Sequence, residues 1–259
     1  MLQRIITSTI MIAAALGLVS CADNGIAYQS ETVIEAYLYV GEPIRDVRVY
    51  RTQDLSGPID QRAASVTNAV VTIVGPDGPI HLRFVDDDGG GHYEAADKTI
   101  RVAPSAHYTL SVDIVGAQYT GSTTTPGVTT WVTPIADTLR HPVADEFAWQ
   151  GDGGDGHWLV SFTCTDTTGG RLPYMDAKQP PLSSTYFTSI PRSSIQWGSS
   201  PWFGPYRCVV YTPDANLFKW FTAVGLGGPF FDRRYSSIDG GIGVFGSASR
   251  VEASVMVTR

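Results

Sequence analysis

Between Glu31 and Thr125 the chain alternates short apolar-and-polar runs with turn residues at close spacing, and this pattern most restricts what it can fold into. Tyr108-Thr109-Leu110-Ser111-Val112-Asp113-Ile114 is the clearest case, with every second side chain apolar, as a strand with one buried face requires. Val33–Val40 and Arg45–Thr52 flank Gly41-Glu42-Pro43, an evident turn. Residues 69–74 read as a buried strand, followed by the turn sequence Gly75-Pro76-Asp77-Gly78. Ile80–Val85, His92–Glu94 and Gln118–Thr125 add further strands, and Gln53–Ser65 reads as a loop. About seven strands in so short a stretch predict an immunoglobulin-like or transthyretin-like β-sandwich over 31–126. Tyr108, entering its strand after Pro104-Ser105-Ala106, suits a tyrosine corner or a plain core position.

Pro126-Gly127 closes that unit, and a second β domain is expected over 127–259. Its strands are read at Thr129–Val132, Phe147–Trp149, Trp158–Thr163, Tyr206–Tyr211, Gly243–Phe245 and Val251–Val257. One helix is expected over 213–224, with Thr212 as cap, Pro213 in the first position and Gly225 as the stop. Leu217, Trp220, Phe221 and Val224 give it a single apolar face to lay on a sheet. Pro173–Pro205 is a long Ser/Pro-rich stretch, too long for an idle connection. Hydrophobic content of 43% supports a core, while 27 Gly and 16 Pro favour strands and turns over a helical bundle. A net charge of −7 without any basic run excludes a nucleic-acid binder, which needs Lys/Arg clusters to neutralise phosphates.

The amino terminus says where such a body would reside. Arg4 opens an apolar run to Val19 that reads as a secretory signal over 1–20, too short for a comfortable span. Leu18-Val19-Ser20-Cys21 resembles a bacterial lipobox, in which the thiol takes a diacylglyceryl group before cleavage. Cys21 would then be the acylated first residue, held by three chains in the membrane, and 22–30 a tether reaching ~30 Å. The absence of Asp after Cys21 favours passage to the outer membrane. In an oxidising compartment the two remaining cysteines, Cys164 and Cys208, are expected to pair across neighbouring strands, with buried free thiols as the alternative.

Val33-Ile34-Glu35-Ala36-Tyr37-Leu38, residues 68–73, Gly91-His92-Tyr93, Tyr108–Val112 and the late Gly240-Gly241-Ile242-Gly243-Val244-Phe245-Gly246 follow the lipobox in order. Together they resemble a large family of uncharacterised outer-membrane lipoproteins with a domain of unknown function, typically encoded beside TonB-dependent receptors. The resemblance implies a role at the cell surface or periplasmic face, assisting a receptor that imports nutrients, and the leading expectation is a non-enzymatic one without a cofactor. A surface adhesin or glycan-binding module independent of any transporter is the second reading, and a hydrolase with an unrecognised acid pair the third.

Motifs for chemistry are sparse. His81, His92, His107, His141 and His157 show no HxH or HExxH spacing. Asp152 and Asp155 in Gly-Asp-Gly-Gly-Asp-Gly-His form an oxygen-rich loop able to hold a cation, and Asp86-Asp87-Asp88 reads as a solvated turn. No GxSxG or SxxK occurs. The glycines of 240–246 lack the Lys-Ser/Thr ending of a phosphate loop and are expected to allow tight turns and close strand packing. Trp197, Trp202, Phe203 and Tyr206, interrupted by Gly198, Pro201, Gly204 and Pro205, are the candidate binding residues. Exposed on a loop they would suit sugar stacking or a protein hot spot; folded back they would cover the end of the second sheet.

Overall fold

A computed structural model describes residues 28–54, 58–87, 89–133, 135–140, 146–151, 156–170, 185–196, 202–225 and 233–259. Residues 28–30 are exposed and without regular structure, and Glu31–Arg259 form one compact unit. The fold is all-β, with one large curled sheet, a small second sheet and two short α-helices among the described residues.

β1 (Thr32–Tyr39) lies inside the large sheet, hydrogen-bonded on both sides. On one side it pairs antiparallel with β2 (Val47–Arg51), on the other parallel with β16 (Ile242–Thr258), the last strand of the chain. Beyond β2 the sheet continues through β5 (His92–Ala95), β4 (Gly78–Val85), β3 (Val70–Gly75), β6 (His107–Ile114) and β7 (Ala117–Thr124). It ends on β15 (Ile238–Asp239), which leads straight back into β16, so the strands curl into a nearly closed wall. Inside lie Ile34, Ala36 and Leu38 of β1, Val71 and Ile73 of β3, Tyr93, the alternating Tyr108, Leu110 and Val112 of β6, and Phe245 of β16.

The register shows how alternation builds this core. Ile34 stands opposite Val49 and Ala36 opposite Val47, all four inward. Val71 and Ile73 point inward too, whereas Val70 and Val74 are exposed, so the run 69–74 is buried on one face and not on both. Tyr108 is a tyrosine corner: its hydroxyl accepts the Ala103 N–H at 2.8 Å, five residues upstream. Its ring occupies the space that a side chain at position 75 would need, since a Cβ on Gly75 would come within 2.4 Å of it.

β16 is seventeen residues long and serves both halves of the chain. Its first half pairs with β1 through Ile242–Ala248, and its second half pairs with β14 (Gly204–Pro213) from Ala248 to Val257. β11 (Trp158–Cys164) and β12 (Thr185–Ile190) extend the sheet beyond β14, and β9 (Thr138–Arg140) runs parallel to the end of β16. A small sheet of β13 (Ser194–Gln196), β10 (Glu146–Gln150) and β8 (Thr130–Trp131) packs over that face. The second core fills the gap with Phe147, Trp149, Phe162, Tyr206, Val210 and Val255. The expected strands at Gly243–Phe245 and Val251–Val257 are therefore one strand.

The glycines before and within β16 do what close packing requires. Gly243 has φ +130°, and a Cβ there would lie 1.9 Å from the Ile34 carbonyl oxygen. A Cβ on Gly246 would meet Leu217 of the helix at 2.9 Å. Two local expectations need correction. The loop 53–65 contains a short helix, α1 (Gln61–Ala64), because Asp60 caps it by accepting the Ala63 N–H at 3.0 Å. The long helix, α2 (Ala215–Gly225), starts two residues later than expected. Thr212 and Pro213 finish β14, and Asp214 is the cap, its carboxylate accepting the Leu217 N–H at 2.9 Å. α2 lies on the outer face of β1 and β16, with Trp220 against Ile242 and Val244 and Phe221 beside Tyr37.

Candidate functional site

The aromatic candidates are placed by the packing of the second half. Phe203 and Tyr206 are buried members of its core, and Trp202 is half-buried against it. The Tyr206 hydroxyl is folded back on its own loop, donating to the Trp202 carbonyl at 2.8 Å and accepting the Trp202 N–H at 3.2 Å. Arg259 covers the Phe203 ring at 5.4 Å. Of the two readings offered by the sequence, the folded-back one holds for Phe203 and Tyr206. Gly204 and Pro205 do not break an element but begin β14, with Gly204 at φ +136° so that its backbone can approach the Asp166 carbonyl. Trp197 lies outside the described residues, as do Asp152, Asp155 and Cys21.

The cysteine pairing is also corrected: Cys164 and Cys208 are free and buried. Cys164 stands opposite Tyr206 and Cys208 opposite Phe162, so the two thiols sit diagonally on one face of β11 and β14. Diagonal positions are ~7–8 Å apart, beyond the span that a disulfide bridges without backbone movement. Cys164 Sγ donates instead to the Asp166 carbonyl at 3.2 Å, and burial pushes the Cys208 thiol up to about 12. Among the described residues no group of three His, Cys, Asp or Glu side chains is arranged to hold a metal ion. Asp87 is a turn residue, as expected. Its carboxylate accepts the Gly91 and Gly89 N–H groups and meets His92 Nδ1 at 2.8 Å, which holds it down at about 2.

The feature that local sequence does not reveal is a polar seam between the two cores. Ser247 and Ser249 of β16, Thr123 of β7, Thr212 of β14, Thr125, Thr129 and Asp214 are all buried. Asp214 Oδ1 accepts the Ser247 N–H at 3.0 Å as well as that of Leu217, and Oδ2 accepts the Thr123 hydroxyl at 2.5 Å. The Asp214 N–H returns to the Ser247 carbonyl at 2.8 Å, and Thr123 Oγ1 meets Ser247 Oγ at 2.8 Å. Thr129 joins through Thr212 Oγ1 at 2.7 Å and Ser249 Oγ at 2.8 Å. Burial holds the Asp214 carboxyl above its ordinary range, while the surrounding N–H and hydroxyl donors pull the other way.

Over this seam lies an open cavity of about 520 Å³, between the N-terminus of α2 and the end of β7. Ser105, His107, Ser122, Thr124 and Asn216 line its accessible side. Asn216 Nδ2 donates to both the Ser122 and Phe245 carbonyls, at 2.8 and 3.0 Å, which engages both amide protons. His107 Nδ1 lies 3.3 Å from Thr124 Oγ1. Ser105 has φ +51°, a left-handed conformation uncommon for a residue with a side chain. The lining can exchange hydrogen bonds with a polar ligand. Asp214 itself is engaged on both oxygens and positions α2. The other carboxyl raised chiefly by burial, Glu35, lies on the face of β1 that carries Tyr37, away from the core side where Thr123 and Ser247 hold Asp214.

No family model matches the chain, and no curated protein matches it. A solved structure described as "Crystal structure of DIP-gamma IG1+IG2" is similar at 9% identity, covering 89% of this chain and 97% of that chain, with a TM-score of 0.24. A likeness at that score carries no argument about this chain.

Proposed function

We propose that the protein is a non-enzymatic lipoprotein of the outer membrane, anchored through acylated Cys21, which assists a TonB-dependent receptor in nutrient uptake by binding the receptor or its ligand. The observation that carries this reading is the run Leu18-Val19-Ser20-Cys21 at the end of an apolar stretch, followed by only a short polar segment before the compact unit begins at Glu31. The hydroxyl-lined open cavity between β7 and α2 supports a binding role, since it offers hydrogen-bonding groups over the buried Thr123–Asp214 contact. Burial of Phe203 and Tyr206 takes two of the four aromatic candidates away from a glycan-stacking surface.

The test is a pull-down of the tagged protein from detergent-solubilised outer membrane, with the mass of its N-terminal peptide measured on the same sample. A lipidated Cys21 peptide and a co-purifying TonB-dependent receptor are expected, and Cys21→Ala should abolish both the lipid mass and the membrane fraction. A lipidated protein that brings down no receptor from the native membrane would refute the accessory role.

A further inference from the structure

The three most exposed large hydrophobic side chains among the described residues, Val115 (93%), Ile59 (69%) and Val70 (61%), all belong to one end of the first half. The register fixes that end. Thr32, the first residue of β1, stands opposite Arg51, the last of β2, and its hydroxyl meets that of Tyr119 near the start of β7 at 2.9 Å. Ala117 pairs with Ile114, so Val115 forms the tip of the β6–β7 turn just beyond that level. Val70 stands opposite Asp113 in the same layer. Ile59 precedes Asp60, which is bonded to Gln53, two residues past the end of β2. An apolar tip, turn and strand start therefore surround the point where β1 begins.

We infer that this end of the body rests on the bilayer that holds the lipid anchor, with Val115, Ile59 and Val70 seated at the boundary between headgroups and acyl chains. The inference rests on acylation at Cys21. The polar residues 22–30 can span only ~30 Å when fully extended, so the anchor keeps the start of β1 near the membrane surface. Solvent-exposed apolar tips held there gain by entering the interface, because transfer of apolar area from water is favourable. Of the charges around the tips, Arg233 pairs with Glu31 and Arg62 with Asp86, each at 2.5 Å, while Asp113 opposite Val70 and Asp60 beside Ile59 form no ion pair among the described residues. The contact is accordingly made by apolar side chains and not by basic residues, and the neighbouring carboxylates favour a zwitterionic surface over an anionic one.

The test uses the acylated full-length mature protein in phosphatidylcholine vesicles, with Val115→Cys or Ile59→Cys labelled by a polarity-sensitive dye. The native thiols are buried and do not compete for label. Val132→Cys, exposed in the second half of the chain, is the reference position. With nitroxide-labelled lipid in the vesicles, the dye at 115 and 59 should lose about half its emission, at low and at high salt, and the dye at 132 almost none. Equal quenching at 115 and 132, or quenching that high salt abolishes, overturns the apolar contact. The N-terminal peptide mass from the same vesicles separates the two failures: a lipidated Cys21 with unquenched dye at 115 sinks only this inference. An unlipidated Cys21 sinks the anchoring reading and this one with it.

Discussion

Gly243→Ala should be among the most damaging single-methyl additions available to this chain. Gly243 stands opposite Ile34 in the parallel pairing of β1 and β16, and the added carbon would lie 1.9 Å from the Ile34 carbonyl oxygen, where real contacts do not come below 3.0 Å. The strands must part by about 1 Å, a distance that ladder hydrogen bonds do not tolerate. The backbone, at φ +130°, is in a region open in practice to glycine alone, which costs a substituted residue ~1–3 kcal/mol. Overpacking a filled core adds ~1–3 kcal/mol. The expected loss is therefore ~3–5 kcal/mol, a large part of the ~5–15 kcal/mol by which proteins are stable. Gly41→Ala separates the two contributions, because Gly41 has φ +80° but nothing within 4 Å of its would-be Cβ, and should cost only ~1–2 kcal/mol. Urea titration followed by tryptophan fluorescence measures both, provided the slopes agree. Equal losses at the two positions would refute the close approach of β1 to β16.

Tyr108→Phe removes the acceptor of the Ala103 N–H and should destabilise by ~1–2 kcal/mol in the same titration; no change would deny the corner a structural role. Cys164 and Cys208 should resist a maleimide in the native protein and both react in denaturant without reductant, whereas failure to react in denaturant would reveal a disulfide. Because burial raises the Asp214 carboxyl in the folded state, its contribution is most favourable below the unfolded pKa of ~3.9 and declines as pH rises through the folded value. Stability measured from pH ~4 to ~7 should accordingly shift in favour of Asp214→Asn relative to the native chain, and a shift the other way would show that the donors outweigh burial. Since Phe245 and Ile238 complete the first core from the same strand region that builds the second, thermal unfolding should show one transition; two well-separated transitions would make the halves independent.

How much of this was legible in the sequence follows from how local each signal is. Strands β1 to β7 were readable because alternation and turn chemistry lie within a dozen residues of one another, as in Tyr108–Ile114 and Gly75–Gly78. The cap of α2 was misread because Thr212 and Asp214 are both capping residues around Pro213, and local sequence weighs them equally. What decides is Ser247, whose N–H and carbonyl bind Asp214 from thirty-three positions away. The placement of Phe203 and Tyr206 stayed open between loop and core for a similar reason: the glycine and proline beside them argue against a regular element, whereas Gly204 lets β14 pass the Asp166 carbonyl. The seam was invisible because Thr123, Asp214 and Ser247 come from three separate segments. The one local hint was Ser247 interrupting the apolar run of β16.

The position of β1 ties the architecture to the anchoring reading. A chain held at its N-terminus delivers any load on the anchor to the first strand. An edge strand would be free on one side and could peel away one hydrogen bond at a time. Here the first strand is interior, paired from Val33 to Tyr39 with β16 and from Thr32 to Ala36 with β2. β16 runs parallel to it, so a pull along β1 shears the whole ladder at once instead of opening it from one end. β16 is held in turn by β14 along its second half and by α2 on its outer face, which distributes the load into both cores. Gly243 and Gly246 are what let β1, β16 and α2 approach closely enough for this, and the seam around Asp214 fixes α2 over the junction. Gly243 acts near the start of β1, opposite Ile34, and Gly246 and Ser247 near its end, opposite Tyr37 and Leu38, so the close packing extends along the whole strand.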